Sequence, residues 1–156
     1  MRNTRFRYLA VIAGLCAALA GSMAAAPSAQ AAPADFGGVW ANMDPGTDHI
    51  LRFTIVPFKA GPVISVSGKC TPTPCNWGSM PLITYGNNVT DANHKHATTV
   101  YNFGFATAAM TFQLLDAQTM VVHTYTQFLD HSGRQNYHKV ERFRKLPIVI
   151  DPAPGF

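Results

Sequence analysis

Between residues 37 and 144, short segments rich in Val, Ile, Thr, Tyr and Phe recur every ten to fifteen residues, separated by Gly, Pro, Asn and Asp. That rhythm belongs to an antiparallel β protein, and helical spacing sustained over three turns occurs nowhere. The pattern predicts eight strands, at about 37–42, 49–56, 62–68, 79–85, 97–105, 108–115, 119–127 and 136–144. Asp116-Ala117-Gln118 reads as a tight hairpin turn, and Asp130-His131-Ser132-Gly133 supplies the glycine of a slightly longer one.

Alternation shows which side of each strand is wet. Leu51, Phe53 and Ile55 fall on one face of the second strand, with Arg52 and Thr54 on the other. Met110, Phe112 and Leu114 share a face, and Tyr101, Phe103 and Phe105 line up opposite Asn102. Sequential antiparallel strands joined by short hairpins leave two unpaired edges unless the sheet closes on itself. The expected fold is therefore all-β, an eight-stranded up-and-down antiparallel barrel, with a flattened β-sandwich as the alternative.

The N-terminus has a different pattern. Arg2, Arg5 and Arg7 precede the apolar run Leu9 to Ala20, and small residues surround Gln30 in Ala29-Gln30-Ala31, as at a signal-peptidase site. Cleavage is expected after Ala31, since Pro27 would hinder a cut after Ala26. The apolar run is shorter than the roughly 20 residues that span a bilayer. Leu15 stands before Cys16, where a lipid-anchoring signal has a small residue. The chain thus divides into a signal peptide at 1–31, a β-barrel domain at 32–146 and an extended tail at 147–156, with no membrane insertion after processing and a secreted or periplasmic destination.

Processing changes the charge. Of 12 Lys and Arg, three leave with the leader, and the remaining 9 nearly balance 8 Asp and Glu. The basic balance of the whole chain gives no reason to expect nucleic acid as a partner. Lys139, Arg142, Arg144 and Lys145 read as a strand face, not a polyanion site. Cys70 and Cys75 are the two cysteines left after processing, and in an exported chain they are expected to form a disulfide that shapes a proline-stiffened turn.

The opening strand, Gly37-Gly38-Val39-Trp40-Ala41-Asn42, carries a Gly-x-Trp that resembles the first strand of lipocalins and avidin-like proteins, the calycin barrels. The resemblance implies that Trp40 plugs one end and packs under a basic side chain of the last strand, for which Arg142 and Arg144 are the candidates. Residues 42–47 and 70–78 also resemble a small secreted bacterial domain, a likeness that brings no activity with it.

Candidate chemistry is sparse. His94 and His96 lie in a polar loop without a neighbouring carboxylate, so no metal or other cofactor is expected. No Gly-x-Ser-x-Gly occurs, Ser65 and Ser67 read as outer-wall positions, and the aspartates fall in turns where they cap the backbone. The expected function is a non-enzymatic binding module for a small hydrophobic molecule or glycan. Trp40, Phe53, Tyr101, Phe103, Phe112 and Tyr125 are its candidate lining, with Trp77 beside the disulfide turn as a contact point. The competing and favoured reading of the interior six is that they fill the core. The alternative function is inhibition of an extracellular enzyme such as a protease, since small disulfide-bonded barrels with this first strand resemble bacterial metalloprotease inhibitors that act through a free N-terminal segment, here Ala32-Pro33-Ala34-Asp35.

Overall fold

Nine antiparallel strands make up most of residues 35–147, the part of the chain that the computed structural model describes. They are β1 (Gly38–Asn42), β2 (Ile50–Val56), β3 (Val63–Gly68), β4 (Cys75–Pro81), β5 (Ile83–Tyr85), β6 (His96–Asn102), β7 (Ala106–Leu114), β8 (Thr119–Phe128) and β9 (Tyr137–Lys145). Their order in the sheet is β4-β3-β2-β1-β9-β8-β7-β6-β5. Strands adjacent in sequence pair with one another except β4 and β5, which end the sheet, and β9 returns to β1, which makes an up-and-down, nearly closed barrel and not a flattened sandwich. The leader, its cleavage site and the tail beyond Pro147 lie outside the described residues. No helix among the described residues is long and apolar enough to cross a membrane.

The expected fourth strand, 79–85, begins earlier, at Cys75, and is two strands. Pro81 has no N–H to give to a ladder, and at Leu82 the chain donates to Pro62 O at 2.9 Å before leaving β3 altogether. β4 pairs with β3, whereas β5 pairs with β6. One bent ribbon therefore belongs to both sides of the gap, and this accounts for the ninth strand.

Between β4 and β6 side chains replace the ladder. Thr99 Oγ1 donates to Pro81 O at 2.8 Å, and the buried Tyr101 hydroxyl donates to Ile64 O at 3.0 Å with Gly78 O at 3.4 Å as a second acceptor. Burial holds the Tyr101 phenol protonated, its pKa pushed up to about 12. Tyr101→Phe should then cost about 1–2 kcal/mol, because a buried carbonyl loses its donor. Urea denaturation checks this, and an unchanged midpoint would mean that the seam is held by packing alone.

The lower barrel is filled. Phe53 packs against Trp40, Phe112 and Phe143 at centroid distances of 6.4, 5.6 and 4.7 Å. Trp40 is 0% exposed and donates its indole N–H to Phe36 O at 2.9 Å. Its basic partner is neither Arg142 nor Arg144. Phe143 faces the core, so alternation turns 142 and 144 outward and brings the side chain of Lys145 inward. Lys145 Nζ lies 5.0 Å from the indole centroid and donates to Asp35 O at 2.8 Å. Gly38 permits this, since a Cβ there would come within 3.3 Å of the lysine stem.

Leu51 is also corrected. A register irregularity between Ile50 and Arg52 interrupts the alternation, so that Ile50 is buried in its place while Phe53 and Ile55 face inward as expected. Met110, Phe112 and Leu114 are buried together. The strand expected at 97–105 stops at Asn102, whose side chain accepts from Gly104 N at 2.9 Å in the turn that follows.

Candidate functional site at the open end of the barrel

Side-chain size tapers along the barrel, and the taper makes a cup. On the inward face of β7, Leu114, Phe112 and Met110 occupy the closed end and middle, but Ala108 and Ala106 follow toward the other end. On β8 the inward sequence runs Met120, Val122, Thr124, Thr126. Small residues leave the upper barrel unfilled. The result is an open cavity of about 430 Å³, bordered by Asp48, His49, Lys69, Cys70, Cys75, Asn76, Trp77, Phe103, Phe105, Ala106, Ala108, Thr126, Phe128, Arg134 and Tyr137.

Its walls are aromatic. Trp77 meets Tyr101 and Phe103 edge-on at 5.7 and 5.4 Å, and Tyr101, Phe103 and Phe105 form a stacked series with centroids 6.1 and 6.0 Å apart. Across the cup, Phe128 packs against Tyr137 at 6.2 Å, and the Arg134 guanidinium covers Phe128 at 4.0 Å while pairing with Asp130. Two local features aim Trp77. Cys70 and Cys75 are disulfide-bonded and join the end of β3 to the start of β4. Gly68 lies under the indole, where a Cβ would stand 2.5 Å from Trp77 Nε1.

A buried polar pair sits at the edge of this apolar space. His49 is 7% exposed and Glu141, whose side chain is 9% exposed, lies 2.7 Å away, Nδ1 to Oε2. Glu141 Oε1 accepts from Thr47 Oγ1 at 2.8 Å and from Asn42 Nδ2 at 2.9 Å. Burial alone would push the Glu141 carboxyl up; the donors His49, Thr47 and Asn42 outweigh it and hold the group below the ordinary range. The carboxylate is thus ionised and accepts only, so His49 Nδ1 carries the proton between them. His49 Nε2, on the other side of the ring, is buried without a partner. Trp77 and Tyr137 present their rings to the imidazole at 5.5 and 6.1 Å, nearly perpendicular to it. His49 borders the cup, whereas Glu141 does not and faces a second hollow lined by the 42–48 loop.

The expected site residues separate into three groups. Trp77 and Phe103 border the cup, with Tyr101 packed behind them. Trp40, Phe53 and Phe112 fill the core below it. Tyr125 is corrected: it is 49% exposed on the outer wall, where it stacks on His138 at 4.4 Å, because the inward positions of β8 are the even-numbered ones. His123 Nδ1 and His138 Nε2 approach to 3.2 Å on that same wall. His94 Nδ1 is hydrogen-bonded to Thr84 Oγ1 at 2.7 Å, and no group of three potential metal ligands occurs among the described residues.

His49, Glu141, Phe105, Phe128 and Tyr137 are the site residues that sequence reasoning missed. The Ala-x-Ala-x-Met-x-Phe-x-Leu series of 106–114 signalled the hollow, since inward alanines at one end of a strand leave volume unfilled. Glu141, among the described residues the only carboxylate within a strand, signalled the buried pair. No family model matches this chain, and neither a curated protein nor a solved structure matches it.

Proposed function

We propose that this is a secreted, calycin-like binding protein that takes a small, largely apolar molecule into the open end of its barrel. The observation that carries the reading is the cup of about 430 Å³ with walls formed by Trp77, Phe103, Phe105, Phe128 and Tyr137. That volume lies within the roughly 300–1,000 Å³ of small-molecule sites, which are mostly apolar with few polar groups. The predominance of aromatic rings favours an apolar ligand over a glycan. Export draws support from the leader-like N-terminus and the Cys70–Cys75 disulfide. The calycin likeness draws support from Trp40, buried at the end opposite the cup beneath a basic side chain of the last strand.

Fluorescence titration with N-phenyl-1-naphthylamine, a neutral apolar probe, tests this function. The wild-type protein should bind the probe with an enhanced, blue-shifted emission. Ala106→Leu, which adds bulk to the inner wall of the cup, should weaken binding by about tenfold, equivalent to about 1.4 kcal/mol. Absence of enhancement with the wild type, or equal binding by the variant, would remove the cup as the ligand site.

A further inference from the structure

The unpartnered nitrogen of His49 narrows the chemistry of the ligand. We infer that the ligand is a flat aromatic molecule bearing a hydroxyl group, and that the hydroxyl sits on His49 Nε2. This inference rests on the reading of the cup as a ligand site.

Glu141 fixes the imidazole. Its carboxylate is held by Asn42 and Thr47 and accepts a 2.7 Å hydrogen bond from His49 Nδ1–H. The orientation and tautomer of the ring are thereby set from behind. Nε2 then presents a lone pair when the ring is neutral and an N–H when it is charged. A hydroxyl both donates and accepts, so it satisfies Nε2 in either state. A carboxylate only accepts, and it would place a second negative charge one imidazole away from Glu141. An ammonium only donates, and would face an N–H when the ring is protonated.

The surroundings specify the rest of the molecule. His49 borders the cup, its Nε2 is buried and unpartnered, and the rings nearest to the imidazole are Trp77 and Tyr137, which border the cup beside it. Such a nitrogen is a cost to the unliganded protein that a correctly placed polar group relieves. The stacked Phe103 and Phe105 add ring surface beside Trp77, suited to a planar frame. Of the two cations that border the cup, Arg134 is already paired with Asp130 and Lys69 is exposed to solvent.

The test uses the full oxidised chain and two probes of similar shape, 2-naphthol and 2-methylnaphthalene, each competing against N-phenyl-1-naphthylamine. The wild type should prefer 2-naphthol by roughly tenfold, although the methyl compound is the more hydrophobic. His49→Phe keeps a ring but no nitrogen, and the preference should vanish while 2-methylnaphthalene still binds. With ¹⁵N-histidine labelling of the wild type, the His49 Nε2 resonance should move with 2-naphthol and stay with 2-methylnaphthalene, a readout that holds even if the variant fails to fold. Equal affinities together with an unmoved resonance would overturn the hydroxyl assignment and leave the apolar cup intact. Failure of every probe to bind would instead overturn the cup itself.

Discussion

Trp40→Ala is expected to lower the unfolding free energy by about 3–5 kcal/mol, the range for truncating a large buried aromatic side chain. Trp40 is 0% exposed, stacks near Phe53, and is tied to Phe36 O through its indole N–H. Its removal opens a void at the closed end and strips Lys145 of the ring beneath it. Chemical denaturation of the oxidised protein measures the loss. Trp40→Phe should recover part of it, because a ring returns but the hydrogen bond does not. A shift near zero for the alanine variant would mean that the closed end is not sealed by this residue. Ligand binding at the cup should survive in whatever fraction remains folded, since Trp40 does not border it.

Glu141→Leu should be nearly as damaging, about 3–5 kcal/mol at neutral pH, as expected when one partner is deleted from a buried pair. The substitution leaves His49 Nδ1, Thr47 Oγ1 and Asn42 Nδ2 without the acceptor they share. It also changes how stability depends on acid. Glu141 has a folded pKa held below its ordinary value of 4.5, so the folded state binds fewer protons than the unfolded state in this range. The stabilisation is complete above the ordinary value and is lost as pH falls through the lowered folded one. The surface carboxylates Asp48, Asp91, Asp116 and Asp130, also lowered by their hydrogen-bond partners, act in the same direction. Urea titrations at pH 7 and in steps from 5 to 3 should show a shallower decline for Glu141→Leu than for the wild type. Parallel declines would show that the buried network does not hold this carboxylate ionised.

Much of the architecture is legible in residue order because alternation in a strand is a local property. Met110, Phe112 and Leu114 declare their common face through the polar neighbours between them, and the hairpin turns declare themselves through Asp and Gly. What alternation cannot show is where it breaks. The irregularity at Ile50 moves burial by one residue, and the bend at Pro81-Leu82 hands one ribbon from β3 to β6. Both depend on partners distant in sequence. Arg144 and Lys145 differ by a single position, and only the inward placement of Phe143 decides which of them reaches Trp40.

The site is harder to read for a related reason. A cavity is a property of several strands at the same height, and Ala106, Ala108 and Thr126 line one hollow only when β7 and β8 are in register. His49 and Glu141 are far apart in the chain and belong to segments that alternation describes separately. The hydrophobic pattern identifies aromatic residues without saying which fill the core and which stand over a hollow. Trp40, Phe53 and Phe112 do the first, and Trp77 and Phe103 do the second.

The pairing of β1 with β9 also bears on how the chain reaches its structure. Ala41 lies opposite Arg144, so the ring is completed by residues from opposite ends of the described segment. Until that contact forms, β1 and β9 each have an open edge, and the conformational entropy of the long intervening chain opposes their closure. High mean sequence separation of contacts slows folding, toward the millisecond-to-second range for all-β domains of this kind. A chain lacking β9 would therefore keep its other hairpins but lose both the closure onto β1 and Phe143, the residue that β9 contributes to the aromatic core.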